Sequence, residues 1–300
     1  MATQTAFSQA SSTQVTEAFF QGIGDGASLL DSLQQVCKIE RDDVASLKKA
    51  AMQGISLMAD WDGVSDPASD TLATVSSSYQ QTITYKMLML NVRLPSHDAM
   101  DVPNLISESS QKLGFAVANT LASEGWGQVA KMWTHDGADG KPPIDAAHPI
   151  TGGTFDNKNT TTMDAAALAS TLVMLRRFKD LEGSTLDAAI GGNLALVCSP
   201  ELERTAAELV VPGFSGTDLS SNFFRGYNMS VVSSPYISDA NDYAIVRTDH
   251  TPVRLWIRDS PSVTQYLDQP SNTVNLRVQC ALAGYFNPPG YHYVVGNTPA

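Results

Sequence analysis

Residues 79–98, YQQTITYKMLMLNVRLPSHD, read as one uninterrupted strand, and no other stretch restricts the fold as strongly. Ile83, Tyr85, Met87 and Met89 fall on one face. Thr82, Thr84, Lys86, Leu88, Leu90, Val92 and Leu94 fall on the other. No Gly or Pro breaks the run before Pro95. Strands usually hold about 5–6 residues. This one predicts roughly 14, or about 45 Å at ~3.3 Å per residue. A ribbon of that length, apolar on both faces, is an aggregation hazard unless something covers it. One subunit is barely that wide, so the pattern expects part of the cover to come from another chain.

The charge content points the same way. Only 17% of the 300 residues are Asp, Glu, Lys or Arg, against roughly 25% in an average soluble protein. Fewer charges imply less surface facing water and more facing other protein. Hydrophobic residues make up 43%, enough for one large core or two moderate ones. The net charge is −12. Gripping nucleic acid through its phosphates requires clustered Lys and Arg, so that mode is excluded. Enclosing DNA without adhering to it is not.

Cys37, Cys198 and Cys280 are odd in number and far apart. They form neither a disulfide framework nor a metal knuckle, and Cys198 and Cys280 sit in apolar runs that predict buried thiols. No apolar run reaches the 18 residues of a membrane span. The leader MATQTAFSQASSTQ lacks the basic start and apolar centre of a signal peptide. Its composition predicts a polar arm without structure of its own.

Along the chain, Val15–Ile23, Leu29–Val36 and Asp42–Met58 read as helices, the last from Val44, Leu47, Ala51, Ile55 and Met58. Residues 62–78 read as a loop. A helix opens near Asp101 and Pro103 and carries Ile106, Leu113, Val117 and Leu121 to about Ser123, with Gly114 inviting close approach of another element. Residues 134–161 are irregular. A helix over 163–179 buries Leu168, Leu172 and Leu175, with Thr162 able to cap it. Strands are predicted at 194–198, 229–232, 243–247, 253–258 and 273–286. Ser199 and Pro200 suit the start of a short helix. The class is α+β.

The densest polar cluster, WTHDGADGKPPIDAAHP, offers His135, Asp136, Asp139, Asp145 and His148. Its spacing fits no zinc signature and no calcium loop, and Asp-Gly turns account for it more simply. Ser199 lacks the glycines of a nucleophile elbow. Nothing assembles a nucleophile, a base and an oxyanion donor. No catalytic residue, cofactor or metal is expected.

One order of motifs stands out. DGADGKPPIDAAHPITGG is followed by the helix MDAAALASTLVMLRRFKDLEGSTL, then LALVCSPELERTAAEL, then SNFFRG at 221–226. This resembles the Mu-like major head subunit family of tailed phages over roughly residues 100–260. The resemblance implies the Hong Kong 97 capsid fold. Residues 1–60 would be an N-terminal arm with helices, 62–98 an E-loop hairpin, 99–160 a P-domain with its spine helix, 161–272 an A-domain, and 273–300 a return strand. It implies a non-enzymatic major capsid protein that assembles through hexamers and pentamers into an icosahedral shell around double-stranded DNA. Its partners would be copies of itself, a portal and decoration proteins, with no membrane. The shell would form in the host cytoplasm and persist in the virion. Tyr85, Lys86, Met87, Leu88, Met89, Leu90 and Val92 would lie at inter-subunit contacts, with Phe223, Phe224 and Arg225 as further contacts. The short arm implies that no large scaffolding segment is cleaved from it. Lys86 lies where some relatives place a crosslinking lysine, but no carboxylate beside it is marked out as a base. An encapsulin-like shell with protein cargo is the alternative within the fold. A metal-dependent hydrolase on His135, Asp139 and His148 is the alternative outside it.

Overall fold

The structure is a computed structural model describing residues 2–44, 47–52, 77–95, 104–150, 152–181, 183, 185–186, 193–210, 224, 227–268, 271–291 and 293–299. In chain order the elements are α1 (Ala2–Asp25), α2 (Ala27–Gln34), β1 (Cys37–Arg41), β2 (Leu47–Met52), β3 (Ser77–Ile83), β4 (Lys86–Pro95) and α3 (Asn104–Ala130). Then come β5 (His148–Ile150), β6 (Gly153–Phe155), β7 (Lys158–Asn159), α4 (Ala165–Arg176), β8 (Leu194–Cys198) and α5 (Glu203–Val210). The last are β9 (Met229–Ser233), β10 (Tyr243–Arg247), β11 (Val253–Asp268), β12 (Thr273–Phe286) and β13 (Val294–Asn297). They divide into two compact units, 1–47 with 83–128 and 254–285, and 48–82 with 129–253 and 286–300.

The first unit joins the three N-proximal helices to a four-stranded sheet of order β1-β11-β12-β4. One face of α3 receives α1 and α2 through a seam of small residues. A Cβ on Gly22 or Gly114 would overlap the backbone of the opposite helix, one on Gly26 the Cβ of Ala118, and one on Gly125 the Leu33 side chain. Gly114 thus permits the close approach its sequence context predicts. Ser110 Oγ donates to the Val15 carbonyl at 2.6 Å, and Gln111 Nε2 to Asp25 Oδ2 at 2.7 Å. Phe19 and Leu33 are fully buried. Another face of α3 meets the sheet, where the Gln128 side chain lies against Gly284 and Glu124 pairs with Lys86.

Four expectations for this unit and for β2 and β3, which lie mostly in the second, are corrected. Residues 2–14 are helical: α1 extends back from the apolar stretch at Val15, because each added residue gains a backbone hydrogen bond once a helix is nucleated. The helix expected over Asp42–Met58 is in part strand β2, which pairs with β3; tertiary pairing overrides the helix preference of LKKAAM. The ribbon at 79–94 is two strands, interrupted at Thr84-Tyr85. Only β4 joins the first unit's sheet, antiparallel to β12 with Leu94 opposite Val274 and Lys86 opposite Leu282. β11 also runs ten residues past the predicted 258, through Pro261 to Asp268. β1 spans only five residues, so among the described residues most of β11 has β12 on one side alone, the setting in which a strand tolerates proline.

The second unit holds a mixed sheet of order β7-β13-β10-β8-β9. β10 is antiparallel to β8 and β13, while β9 is parallel to β8 and β7 parallel to β13. Every residue of β8 is buried, as its unbroken run LALVC predicts for a strand covered on both faces. Leu168, Leu172 and Leu175 of α4 pack with Leu194, Leu196, Tyr243, Ile245 and Val295. Asp164 caps α4, not Thr162: its Oδ1 accepts the Ala167 N–H at 2.7 Å. Ser199 precedes a single 3-10 turn, Pro200–Leu202, and its hydroxyl donates instead to the Ala240 carbonyl at 2.7 Å. The 134–161 region holds the β5–β6 hairpin and β7.

Candidate functional site

β4 is the outermost strand of the first unit's sheet among the described residues. Its even positions face the same side as Val274, Leu276, Val278 and Cys280 of β12. There Leu88 and Val92 are half-buried and Leu94 is buried, but Leu90 remains 47% exposed. The odd positions are all open, with Met87 62% and Met89 60% exposed and Asn91 and Arg93 beyond them. Asn91 Nδ2 donates to the Tyr266 hydroxyl at 3.4 Å, where Tyr266 and Leu267 are themselves exposed. Two unbranched thioether side chains in water on an edge strand form an adaptable apolar ridge.

The other residues singled out in the sequence divide between inside and outside. Tyr85 is used within its own unit. It stands edge-on to Trp256 at 6.2 Å, and the Arg258 guanidinium lies 4.3 Å over its ring. Lys86 pairs with Glu124 at 2.5 Å. Phe224 is 6% exposed and belongs to the second unit's core. Phe223 and Arg225 lie outside the described residues, as do residues 53–76 between β2 and β3. Sequence reasoning missed the part-buried lock on β1. Tyr285 donates its hydroxyl to Glu40 Oε2 at 2.7 Å, and Arg254 Nη1 approaches Glu40 Oε1 at 3.4 Å. Burial, then Glu40, pushes the Tyr285 hydroxyl well above its ordinary value.

The polar cluster at 133–149 resolves into a buried hub in the second unit. The side chains of His148 and Asp139 are fully buried, with Nδ1 to Oδ2 at 2.7 Å. Nε2 lies 3.1 Å from Asn157 Oδ1, and the Tyr291 ring stacks on the imidazole at 4.4 Å. His135 is elsewhere, exposed beside the Thr134 hydroxyl. Among the described residues no three His, Cys, Asp or Glu side chains converge on one point, so His135, Asp139 and His148 are not brought together. Lone Asp-Gly turns do explain the loop, but the pairing of Asp139 with a residue nine positions on carries no sequence signature.

A spine-like helix against a sheet built on one long hairpin, with a separate mixed sheet and helix, defines the Hong Kong 97-type shell subunit. Solved structures of that class share this architecture. A virus-like particle from Pyrococcus furiosus matches with TM-score 0.56 and 13% identity over 95% of this chain and 98% of that one. The capsid of Ralstonia phage GP4 matches with TM-score 0.56 and 12% identity over 88% and 86%. The procapsid of bacteriophage JBD30 matches with TM-score 0.54 and 12% identity over 98% and 76%. No curated sequence matches the chain. A family model described as phage capsid protein matches residues 80–290. The chain belongs to that family, as a major capsid protein whose role is structural and non-enzymatic.

Proposed function

We propose that the subunit associates with copies of itself as hexamers and pentamers, which close into an icosahedral shell around double-stranded DNA. The observation carrying this reading is the exposed ridge of Met87 and Met89 on the edge strand β4, with Leu90 also open on the strand's other face. In water it is a liability; against a neighbouring subunit it becomes apolar contact at about 25 cal/mol per Å² buried. Identical subunits joined head to tail close into rings. The net charge of −12 suits an interior that holds DNA without gripping it.

Within this reading the first unit plays the part of the P-domain, α3 being the spine helix, and the second that of the A-domain. Residues between β2 and β3 would belong to the E-loop. These units cut the chain at 128/129 and 253/254, whereas the resemblance implies cuts at 160/161 and 272/273. Met87, Leu88, Met89, Leu90 and Val92 serve as contact residues; Tyr85 and Lys86 support that surface from within the subunit. The order of motifs between 137 and 226 supports reading the chain as one of the Mu-like major head subunits. A portal and decoration proteins complete the particle, which forms in the host cytoplasm.

A second reading within the same fold is a nanocompartment with protein cargo; the virus-like particle matched over almost the whole of both chains shares the fold, and either cargo suits it. One experiment separates them. Expressed alone, the wild-type chain forms shells or rings by electron microscopy, while Met87→Asp with Met89→Asp remains small by light scattering with unchanged circular dichroism. Shells formed equally well by the double variant would refute the ridge. Nuclease-resistant double-stranded DNA inside particles from infected cells supports the capsid; a single packed protein in its place supports the nanocompartment.

A further inference from the structure

The hydrogen bonds around His148 determine where its protons are. Asn157 Nδ2 donates to two backbone carbonyls, Pro143 at 2.7 Å and Val294 at 3.0 Å. The amide orientation is therefore pinned, and Asn157 Oδ1 is an acceptor. It takes the Asp145 N–H at 2.9 Å and faces His148 Nε2 at 3.1 Å. Nε2 must carry a proton. On the other side, Asp139 Oδ1 accepts the Lys141 N–H at 3.3 Å, and Oδ2 lies 2.7 Å from Nδ1. A carboxylate facing a ring lone pair at that distance would be repulsive, whereas 2.7 Å is the range of a charge-assisted N–H···O bond. The face of the Tyr291 ring stacked at 4.4 Å also favours a cation.

We propose that His148 is a buried imidazolium, protonated on both nitrogens and held between the Asp139 carboxylate and Asn157, and that this proton staples the 137–157 loop to the 291–297 segment. Loss of the proton would leave the carboxylate against a lone pair with no water to relieve it. The staple also reaches β3. Tyr79, in the left-handed region at φ 52°, donates its hydroxyl to the carbonyl of Pro149, next to His148. The charged and titratable groups around the hub are Asp139, Asp145, Tyr79, Tyr291 and, near Tyr291, Asp180. Burial first, then Asp139, raises the hydroxyls of Tyr79 and Tyr291, so neither competes for the proton.

Nitrogen-15 NMR of the full chain, labelled at histidine and with His148 assigned through its own backbone, tests this. At pH 7 both His148 ring nitrogens should resonate in the protonated range. Asp139→Asn offers an amide N–H to Nδ1, so the fold should persist while Nδ1 moves to the unprotonated range. Divided by the intrinsic base-catalysed rate, backbone exchange at residues 77–83, 148–150 and 152–158 should quicken at least tenfold as the wild type is taken to alkaline pH, and stay nearly flat in Asp139→Asn. An unprotonated His148 nitrogen in the wild type at pH 7 overturns the proposal. So does alkaline loosening of equal size in both proteins.

Discussion

Glycine-to-alanine changes on α3 should have opposite signs at two positions only thirteen residues apart. At Gly114 a Cβ would overlap the Phe19 carbonyl oxygen, lie 2.9 Å from the Ile23 nitrogen and 3.1 Å from the Gly22 carbonyl carbon. All three atoms are backbone, so no rotamer change relieves the clash. Contact distances of ~3.5 Å require α1 to withdraw by on the order of 1 Å. That withdrawal loosens Val15 and Phe19 and stretches the 2.6 Å bond from Ser110 to Val15. Overpacking of this kind costs about 1–3 kcal/mol, against up to ~1 kcal/mol returned by replacing a helical glycine. Gly114→Ala should thus destabilise by roughly 1–2 kcal/mol. At Gly127 nothing lies within 4 Å of the added carbon, and Gly127→Ala should stabilise by up to about 1 kcal/mol. Denaturant midpoints of the unassembled chain, read by circular dichroism, give both values. Shifts of similar size in the same direction would refute the seam.

Two further outcomes follow from buried titratable groups. Burial, reinforced by Asp239 and partly offset by Lys158 and the Thr298 hydroxyl, raises Asp242 from 3.8 to about 6. The folded state then holds this proton more tightly than the unfolded one, so its contribution is greatest below about pH 4 and is lost as pH rises towards about 6. Asp242→Asn should flatten the stability profile across that window by on the order of 1 kcal/mol after allowing for solvent screening, as thermal melts at pH 4 and 7 would reveal; parallel profiles would remove the assignment. Burial pushes the thiols of Cys37 and Cys198 up to about 12 and raises that of Cys280, so iodoacetamide at pH 8 should leave all three intact in the native chain and modify them in denaturant, by mass spectrometry.

Strand β8 of the second unit and β12 of the first were legible because each carries its own burial pattern: β8 is covered on both sides, and β12 alternates. LALVC and the alternation in TVNLRVQCALAGYF announce their elements without help from distant residues. The failures share one cause, pairing between parts of the chain far apart in sequence. LKKAAM favours a helix until Ser77–Ile83 lies beside it. The break at Thr84-Tyr85 has no Gly or Pro to signal it; the Tyr85 ring instead sits on Trp256 and Arg258, more than 170 positions later. The β4 ridge was legible as an apolar run but not its sidedness, since only the register against β12 shows that the methionines turn outward. His148 and Asp139 were visible as residues, and their burial was not, because Tyr291 and Val294 supply the walls.

The polypeptide passes between its two units after residues 47, 82, 128, 253 and 285. Neither unit is a contiguous segment, and the strand at the middle of the first unit's sheet, β12, is almost the last to leave the ribosome. Until it emerges, β4 and α3 wait with their apolar surfaces uncovered, the condition under which slow, non-local pairings invite misassociation. Correct folding of the first unit therefore depends on keeping nascent chains apart until residues 273–286 are made, and slower synthesis at lower temperature should favour soluble subunits over aggregates.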